Sequence, residues 1–119
     1  DGQARSTVET ALSLSRDNNM SFHLAQALEL LGEIELAEGG RTDAIGHLAQ
    51  AVTLFRNRGW RSYLAGALTS LGKAYSGSDP DAAQEAFTEA HALFIRLGNI
   101  EQASEAEQLA SAIQAQRSP

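Results

Sequence analysis

Apolar residues recur every three or four positions along most of the chain, which is the spacing of one face of an α-helix. Alanine, leucine, glutamate and glutamine abound while β-branched residues are sparse, so the residue types also favour helix. Turn-forming residues interrupt the apolar pattern between successive segments. The pattern therefore predicts helices over residues 3–17, 21–38, 42–57, 61–76, 80–97 and 100–115.

The predicted helix ends carry residues suited to them. Asp79 is expected to cap the free amides of the fifth helix, and Pro80 sits where no amide partner is needed. Thr42 is the expected N-cap of the third helix. Gly59 and Gly98 close the third and fifth helices, because glycine readily takes the left-handed conformation that ends a helix. The remaining breaks are Asp17-Asn18-Asn19, Gly39-Gly40 and Gly77-Ser78.

The chain repeats itself at intervals of about forty residues. A shift of 40 positions superposes on identical residues Ala11, Leu14, Arg16, Leu24, Ala25, Ala27, Leu28, Leu31 and Gly32. A shift of 39 does the same for Ala44, Ala51, Leu54, Phe55, Gly59 and Ala67. The change of shift places a one-residue deletion near Gly77-Ser78, in a predicted loop, where such changes of length are tolerated.

Two glycines mark the repeat. Gly32 and Gly72 both fall within predicted helices and both follow a leucine. Glycine inside a helix costs about 1 kcal/mol relative to alanine. Its return in register therefore predicts a close approach of two helices, where a Cβ atom would clash.

Paired helices that recur along a chain predict an all-α solenoid of six helices in antiparallel pairs, as a single domain over 1–119. It would comprise a leading helix (3–17), two repeats (21–57 and 61–97) and a capping helix (100–115). The capping helix should turn inward Ile100, Ala103, Ala106, Leu109, Ala110 and Ile113. Its polar outer face is Glu101, Gln102, Ser104, Glu105, Glu107, Gln108, Ser111 and Gln114.

The two ends of the chain are expected to be less well held. The leading helix lacks the partner of its pair, so its apolar flank predicts a homodimer through this helix or weak order there. The chain opens at Asp1-Gly2 without an initiator methionine, and we interpret it as a fragment of a longer protein. Residues 116–119 should fray.

Charge and composition exclude several kinds of function. The net charge of −6 argues against direct contact with nucleic acid. No apolar run approaches the roughly 20 residues that span a bilayer, so we expect no membrane association. The absence of cysteine excludes disulfides and thiolate metal sites and fits a cytoplasmic protein.

No pattern of residues points to catalysis. His23, His47 and His91 lie on three different predicted helices, without the spacing that places two metal ligands on one turn. The serines lack a nucleophile elbow, and Gly39-Gly40 lacks the lysine of a phosphate-binding loop. We therefore predict no catalytic, metal-binding or cofactor-binding residue and no enzymatic activity.

The repeated residues resemble the tetratricopeptide repeat (TPR). That pattern has a large residue, Leu-Gly and an aromatic on its first helix, and alanines flanking a large residue on its second. The first repeat matches at Leu28, Leu31, Gly32, Ala44, Leu48 and Ala51. The second matches at Leu68, Leu71, Gly72, Tyr75, Ala83, Phe87 and Ala90. Glu35 stands where the first repeat should have its aromatic, and Arg56 and Ile95 replace the usual proline.

The period of about 40 exceeds the usual 34 of the TPR family. The run of Ala51, Leu54, Phe55, Arg56 and Gly59, followed by another Leu-Gly helix, is similar to repeats in large bacterial transcriptional regulators of the antibiotic-regulatory and LuxR-like classes. There the repeats follow a DNA-binding domain and a nucleotide-binding switch domain. This likeness implies an interaction module within a regulator.

The resemblance implies a right-handed superhelix whose first helices line a concave groove for a protein or peptide partner. Carried over residue by residue, the groove positions are Gln26, Glu29, Glu33, Leu36, Gly66, Thr69, Lys73, Ser76, Glu105 and Gln108. The same positions could form only a solvated face. Trp60, with Arg58 and Arg61 beside it, is a candidate interface anchor, or else packs over a loop. Two alternative functions are a sensor for a signalling peptide or small effector, and an oligomerisation scaffold.

Overall fold

The computed structural model describes residues 2–17 and 21–117, without the side chains of residues 3, 11 and 13–17. Within those ranges the chain is all-helical. The helices are α1 (Gly2–Asp17), α2 (Ser21–Ala37), α3 (Arg41–Arg58), α4 (Arg61–Tyr75), α5 (Pro80–Leu97) and α6 (Ile100–Arg117). All six predicted helices are confirmed, with most ends within one residue of the prediction. The breaking residues Asn18 and Asn19, and the apolar side chains of Ala11 and Leu14, lie outside the described part.

Helix ends follow the turn residues, with one exception. Gly59 and Gly98 end α3 and α5 in the left-handed conformation, at φ values of 73° and 78°. A carboxylate oxygen of Asp79 accepts the amide N–H of Ala82 at 3.1 Å, which confirms the predicted N-cap of α5. The N-cap prediction for Thr42 is wrong.

Helix α3 begins before Thr42 because the preceding glycines form a tight turn. The amide N–H of Gly40 donates to the carbonyl of Glu35 at 2.7 Å, and the carbonyl of Gly40 accepts the N–H of Ala44 at 2.9 Å. Gly40 is therefore the N-cap residue, and no side chain caps this helix.

The predicted fraying of Ser118 and Pro119 falls outside the described residues. Helix α6 extends to Arg117, two residues beyond its predicted end, so the predicted fraying of Gln116 and Arg117 is wrong. Both residues are helical, and the guanidinium of Arg117 lies 2.5 Å from a carboxylate oxygen of Asp81. It also donates to the side-chain oxygen of Gln84 at 3.0 Å. These contacts with α5 hold the last turn of α6.

The described helices form two compact units, Asp1–Trp60 and Arg61–Pro119. In the first unit, α1 and α3 each pack against α2. In the second unit, α4 and α6 each pack against α5. Each unit has its own core, and the largest fully buried side chains are Leu28, Leu48 and Phe55 in the first and Phe87 in the second.

The two repeated glycines lie at equivalent helix crossings. A Cβ atom at Gly32 would lie 2.5 Å from Cγ of Leu48 on α3. One at Gly72 would lie 2.5 Å from Cε1 of Phe87 on α5. The predicted close approach is therefore confirmed in both units, at corresponding positions of the repeat.

The inward face of α6 is shorter than predicted. Ala103, Ala106 and Ile113 are buried, and Leu109 and Ala110 are partly buried. Ile100 is 65% exposed, so its predicted inward orientation is wrong. It is the first residue of α6 and directly follows the turn at Gly98-Asn99, before the helix reaches α5. The predicted polar outer face is exposed throughout.

Candidate functional site

The first part of the predicted groove is a row of side chains on α2. Gln26, Glu29, Glu33 and Leu36 follow one another at intervals of three and four residues, so they share one side of the helix. Gln26 and Glu33 are exposed, whereas Glu29 and Leu36 are partly buried. This side of α2 presents two carboxyl groups one turn apart.

The two glutamates of this row affect each other. Partial burial, then the neighbouring charge of Glu33 and a hydrogen bond with it, raise the pKa of Glu29 to about 7. Near neutral pH the carboxyl of Glu29 is therefore protonated part of the time, and it can then donate a hydrogen bond to Glu33. The row changes its charge in the physiological range of pH.

The groove positions on α4, together with Ser76 in the turn that follows it, differ from one another in exposure. Lys73 is exposed, Gly66 and Ser76 are partly buried, and Thr69 is buried. The hydroxyl of Thr69 donates to the carbonyl of Ala65 at 3.0 Å, and that of Ser76 donates to the carbonyl of Gly72 at 2.9 Å. Both hydroxyls are thus engaged by their own helix, and Lys73 is the groove position of α4 that extends into solvent.

The two groove positions on α6 are exposed. Glu105 and Gln108 lie on its solvent-facing side, one turn apart. The structure thus places Gln26, Glu29, Glu33 and Leu36 together on α2 in the first unit. It places the remaining groove positions on α4 and α6 in the second unit.

A buried carboxylate joins the three helices of the first unit, and the sequence prediction missed it. The side chain of Glu35 on α2 is 6% exposed. One carboxylate oxygen accepts a hydrogen bond from Nδ1 of His47 on α3 at 2.6 Å, and the other lies 3.8 Å from the guanidinium of Arg5 on α1. Arg5 also forms an ion pair with Glu38. A buried carboxylate is tolerated when it is paired in this way.

A sequence signal for this cluster existed. Glu35 occupies the repeat position at which the second unit has Tyr75, so it belongs to a largely inward position rather than to the solvent face. A charged residue at an inward position requires partners. The identity of those partners, Arg5 and His47, carried no comparable signal.

Trp60 belongs to an aromatic cluster in the first unit. Its ring lies edge-to-face with Phe22 at 5.0 Å between centroids and 6.3 Å from Phe55. The guanidinium of Arg58 lies over the ring at 5.9 Å and also donates to the hydroxyl of Ser21 at 3.1 Å. These contacts close the α2–α3 end of the unit. Trp60 remains partly exposed, and its role as an interface anchor stays a prediction, as does that of Arg61.

The described part of the chain, residues 2–17 and 21–117, also bears on membranes and metals. No helix in this part combines the length and apolar character needed to span a bilayer. Nor are three histidine, aspartate or glutamate side chains grouped there so as to hold a metal ion.

A scan of the chain against protein-family models finds no matching family, and searches of curated proteins and of solved structures find no matching protein or structure. The likeness to the tetratricopeptide repeat therefore stays a prediction that depends on the repeated residues.

Proposed function

We propose that the chain is a non-catalytic protein–protein interaction module of the tetratricopeptide type, with its helices in antiparallel pairs along a solenoid. In this proposal it forms the repeat region of a bacterial transcriptional regulator in the cytoplasm. It holds a partner protein or a neighbouring domain through the side of α2 and α4 that carries the predicted groove positions.

The observation that carries this proposal is the pair of equivalent crossings at Gly32 and Gly72. Each glycine lets a first helix approach a second helix closely, at Leu48 in one unit and Phe87 in the other. Repetition of one packing unit along a chain is the property that defines repeat proteins, whose general role is to present an extended surface to a partner.

The chemistry of the row on α2 indicates the kind of partner. Glu29 and Glu33 lie together on α2, and the chain as a whole carries a net charge of −6. A partner with a basic or neutral surface would meet this side of α2 without repulsion.

Among polar side chains that are buried in the described residues, those of Glu35 and Thr69 already have partners within their own unit.

Site-specific photocrosslinking tests the proposal. A benzophenone amino acid is introduced singly at Gln26, Glu33 or Lys73, which are exposed positions of the predicted groove, and crosslinks are analysed in the organism's own cells. We expect the same partner to crosslink from these positions. The charge reversal Glu33→Lys should greatly reduce the crosslink from Gln26, because it changes the row from acidic to mixed.

Matched controls are the exposed positions Glu85 on α5 and Gln102 on α6, which lie outside the row. Crosslinks of equal strength from these positions would contradict the proposal. Crosslinks that the Glu33→Lys change leaves intact would show that the partner's surface is neutral rather than basic.

A second candidate function, a sensor for a small effector, is favoured by one feature of the first unit. A groove of about 450 Å³ lies between α2 and α3 and is lined by Leu24, Leu28, Ala49, Gln50, Thr53 and Leu54. Its volume falls within the range of small-molecule sites, which are mostly apolar. The photocrosslinking separates the two functions, since a sensor would show no partner from the row.

A further inference from the structure

A polar groove between α5 and α6 lies outside every position that the sequence singled out as a binding site. Its volume is about 240 Å³, and its polar lining consists of Gln84, Thr88, His91, Glu107, Ser111 and Gln114. All six belong to the second unit. They combine an imidazole, a carboxylate, two amides and two hydroxyls around one opening.

The imidazole of His91 is held in one orientation. Its Nδ1 lies 2.9 Å from the backbone carbonyl of Ala103 on α6. Because a carbonyl oxygen can only accept a hydrogen bond, Nδ1 must carry the proton. In the neutral ring, Nε2 is then an acceptor, and it is directed toward Glu107 rather than toward the carbonyl.

Glu107 supplies a second acceptor beside the first. Its carboxylate Oε2 lies 3.9 Å from Nε2 of His91, and its side chain is 67% exposed. An unprotonated imidazole nitrogen and a carboxylate oxygen are both hydrogen-bond acceptors, so neither can donate a hydrogen bond to the other. A group that enters between them must bring N–H donors, and a positive charge on that group would be favoured by the carboxylate.

The other end of the groove is already closed by its own hydrogen bonds. The side-chain N–H of Gln84 donates to the side-chain oxygen of Gln114 at 3.0 Å. The side-chain oxygen of Gln84 accepts a hydrogen bond from the guanidinium of Arg117 at 3.0 Å. Arg117 in turn pairs with Asp81 at 2.5 Å. This network joins α5 to α6, and Asp81 neutralises the charge of Arg117. Recognition therefore falls to His91 and Glu107, and the hydroxyls of Thr88 and Ser111 also belong to the lining.

We propose that this groove binds the cationic side chain of a basic residue, lysine or arginine, on a partner protein. The ammonium or guanidinium group donates to Nε2 of His91 and to the carboxylate of Glu107 at the same time. An anionic group would be repelled by Glu107. For its biological meaning the inference rests on the proposed interaction role, whereas the site itself can be tested without any partner.

The test uses a small probe, N-acetyl-lysine methylamide, titrated into the full isotope-labelled chain while amide shifts are recorded by NMR. We expect saturable shifts, with a Kd in the millimolar range, at residues around His91 on α5 and around Glu107 on α6. The uncharged isostere N-acetyl-norleucine methylamide is the matched probe and should give no saturable shifts there. Equal shifts from both probes, or none with the lysine probe, would overturn the proposal.

A pair of variants locates the site. Glu107→Gln keeps the size of the side chain but removes its charge, and it should weaken binding of the lysine probe about three- to fivefold. Glu101→Gln removes an exposed charge from the same helix outside the groove and should leave the Kd unchanged. Equal weakening by both variants would show diffuse attraction to an acidic helix and would contradict a defined site.

The outcome is independent of the photocrosslinking. If the lysine probe binds at His91 and Glu107 but no partner crosslinks from the row, the groove stands and the proposed function fails. If a partner crosslinks from the row and the lysine probe does not bind, the proposed function stands and the groove inference fails.

Discussion

Gly32 and Gly72 each occupy a position where a single methyl group has no room. The atoms that a Cβ would meet are the side chain of Leu48 in one unit and the ring of Phe87 in the other, both fully buried. Both neighbours lie in a close-packed core, where a shift of a side chain disturbs its own contacts. At the scale of single residues, the repeat therefore requires that both positions lack a Cβ atom.

The change of either glycine to alanine should therefore destabilise the chain although alanine is the better helix former. We expect Gly32→Ala and Gly72→Ala each to lower the free energy of unfolding by about 1–3 kcal/mol, because the cost of overpacking exceeds the gain in helix propensity. Urea denaturation followed by circular dichroism measures this difference.

Gly46 is the matched control for these two variants. It lies in α3 and is exposed, and nothing lies within 4 Å of the Cβ that it lacks. Gly46→Ala should raise the free energy of unfolding by about 0.5–1 kcal/mol. If all three substitutions stabilise the chain, the close approach at the two crossings does not exist.

At the scale of helices, Glu35 joins α1, α2 and α3 through polar contacts. Among the described side chains of α1, Val8 and Leu12 are also buried, so both apolar packing and Arg5 attach this helix to the rest of the unit. The contacts of Glu35 and Glu38 with Arg5 should therefore contribute measurably to the position of α1, while the homodimer predicted through this helix stays a prediction.

Removal of the buried carboxylate tests this role. Glu35→Ala should lower the free energy of unfolding by about 2 kcal/mol, because His47 and Arg5 lose their shared partner and a cavity is left between helices. Amide hydrogen exchange in α1 should become faster in the same variant. Glu38→Ala removes only the exposed partner of Arg5 and should have a much smaller effect on the free energy of unfolding than Glu35→Ala. Equal effects of the two variants would argue against a special role for Glu35.

For the molecule as a whole, the sequence predicted the helices well and the contacts between side chains poorly. Helix ends were predictable because they depend on the local backbone alone. This holds for the glycines that end α3 and α5, Gly59 and Gly98, and for Asp79, which precedes a proline at the start of α5. The crossings were predictable because Gly32 and Gly72 return in register.

Other features depend on distant groups that leave no mark in the sequence. The partner of His91 is a backbone carbonyl of α6, which any residue would supply. The burial of Thr69 and the pairing of Glu35 with Arg5 likewise arise only after helices pack. For the same reason, the α5–α6 groove could not be predicted from the spacing of its residues.

The stability of the whole chain should depend on pH through Glu29, in the direction opposite to that of most carboxyl groups. Its pKa is about 7 in the folded chain and has an ordinary value of 4.5, so between these values the folded state binds more protons than the unfolded state. The free energy of unfolding must then fall as the pH rises from about 4.5 to 7, and it stays reduced above that range. A wholly buried carboxyl with this pKa would change stability by about 3 kcal/mol.

Because Glu29 is partly solvated, we expect the actual effect to be roughly 1–2 kcal/mol. Glu29→Gln should therefore be more stable than the original chain by that amount at pH 8 and equally stable at pH 4, as measured by urea denaturation at both values. Glu101→Gln, at an exposed position of α6, serves as the control and should change stability by no more than about 0.5 kcal/mol at either pH. A stabilisation by Glu29→Gln that is as large at pH 4 as at pH 8 would reflect better packing of the amide. Protonation of Glu29 would then not be the source of the pH dependence of stability.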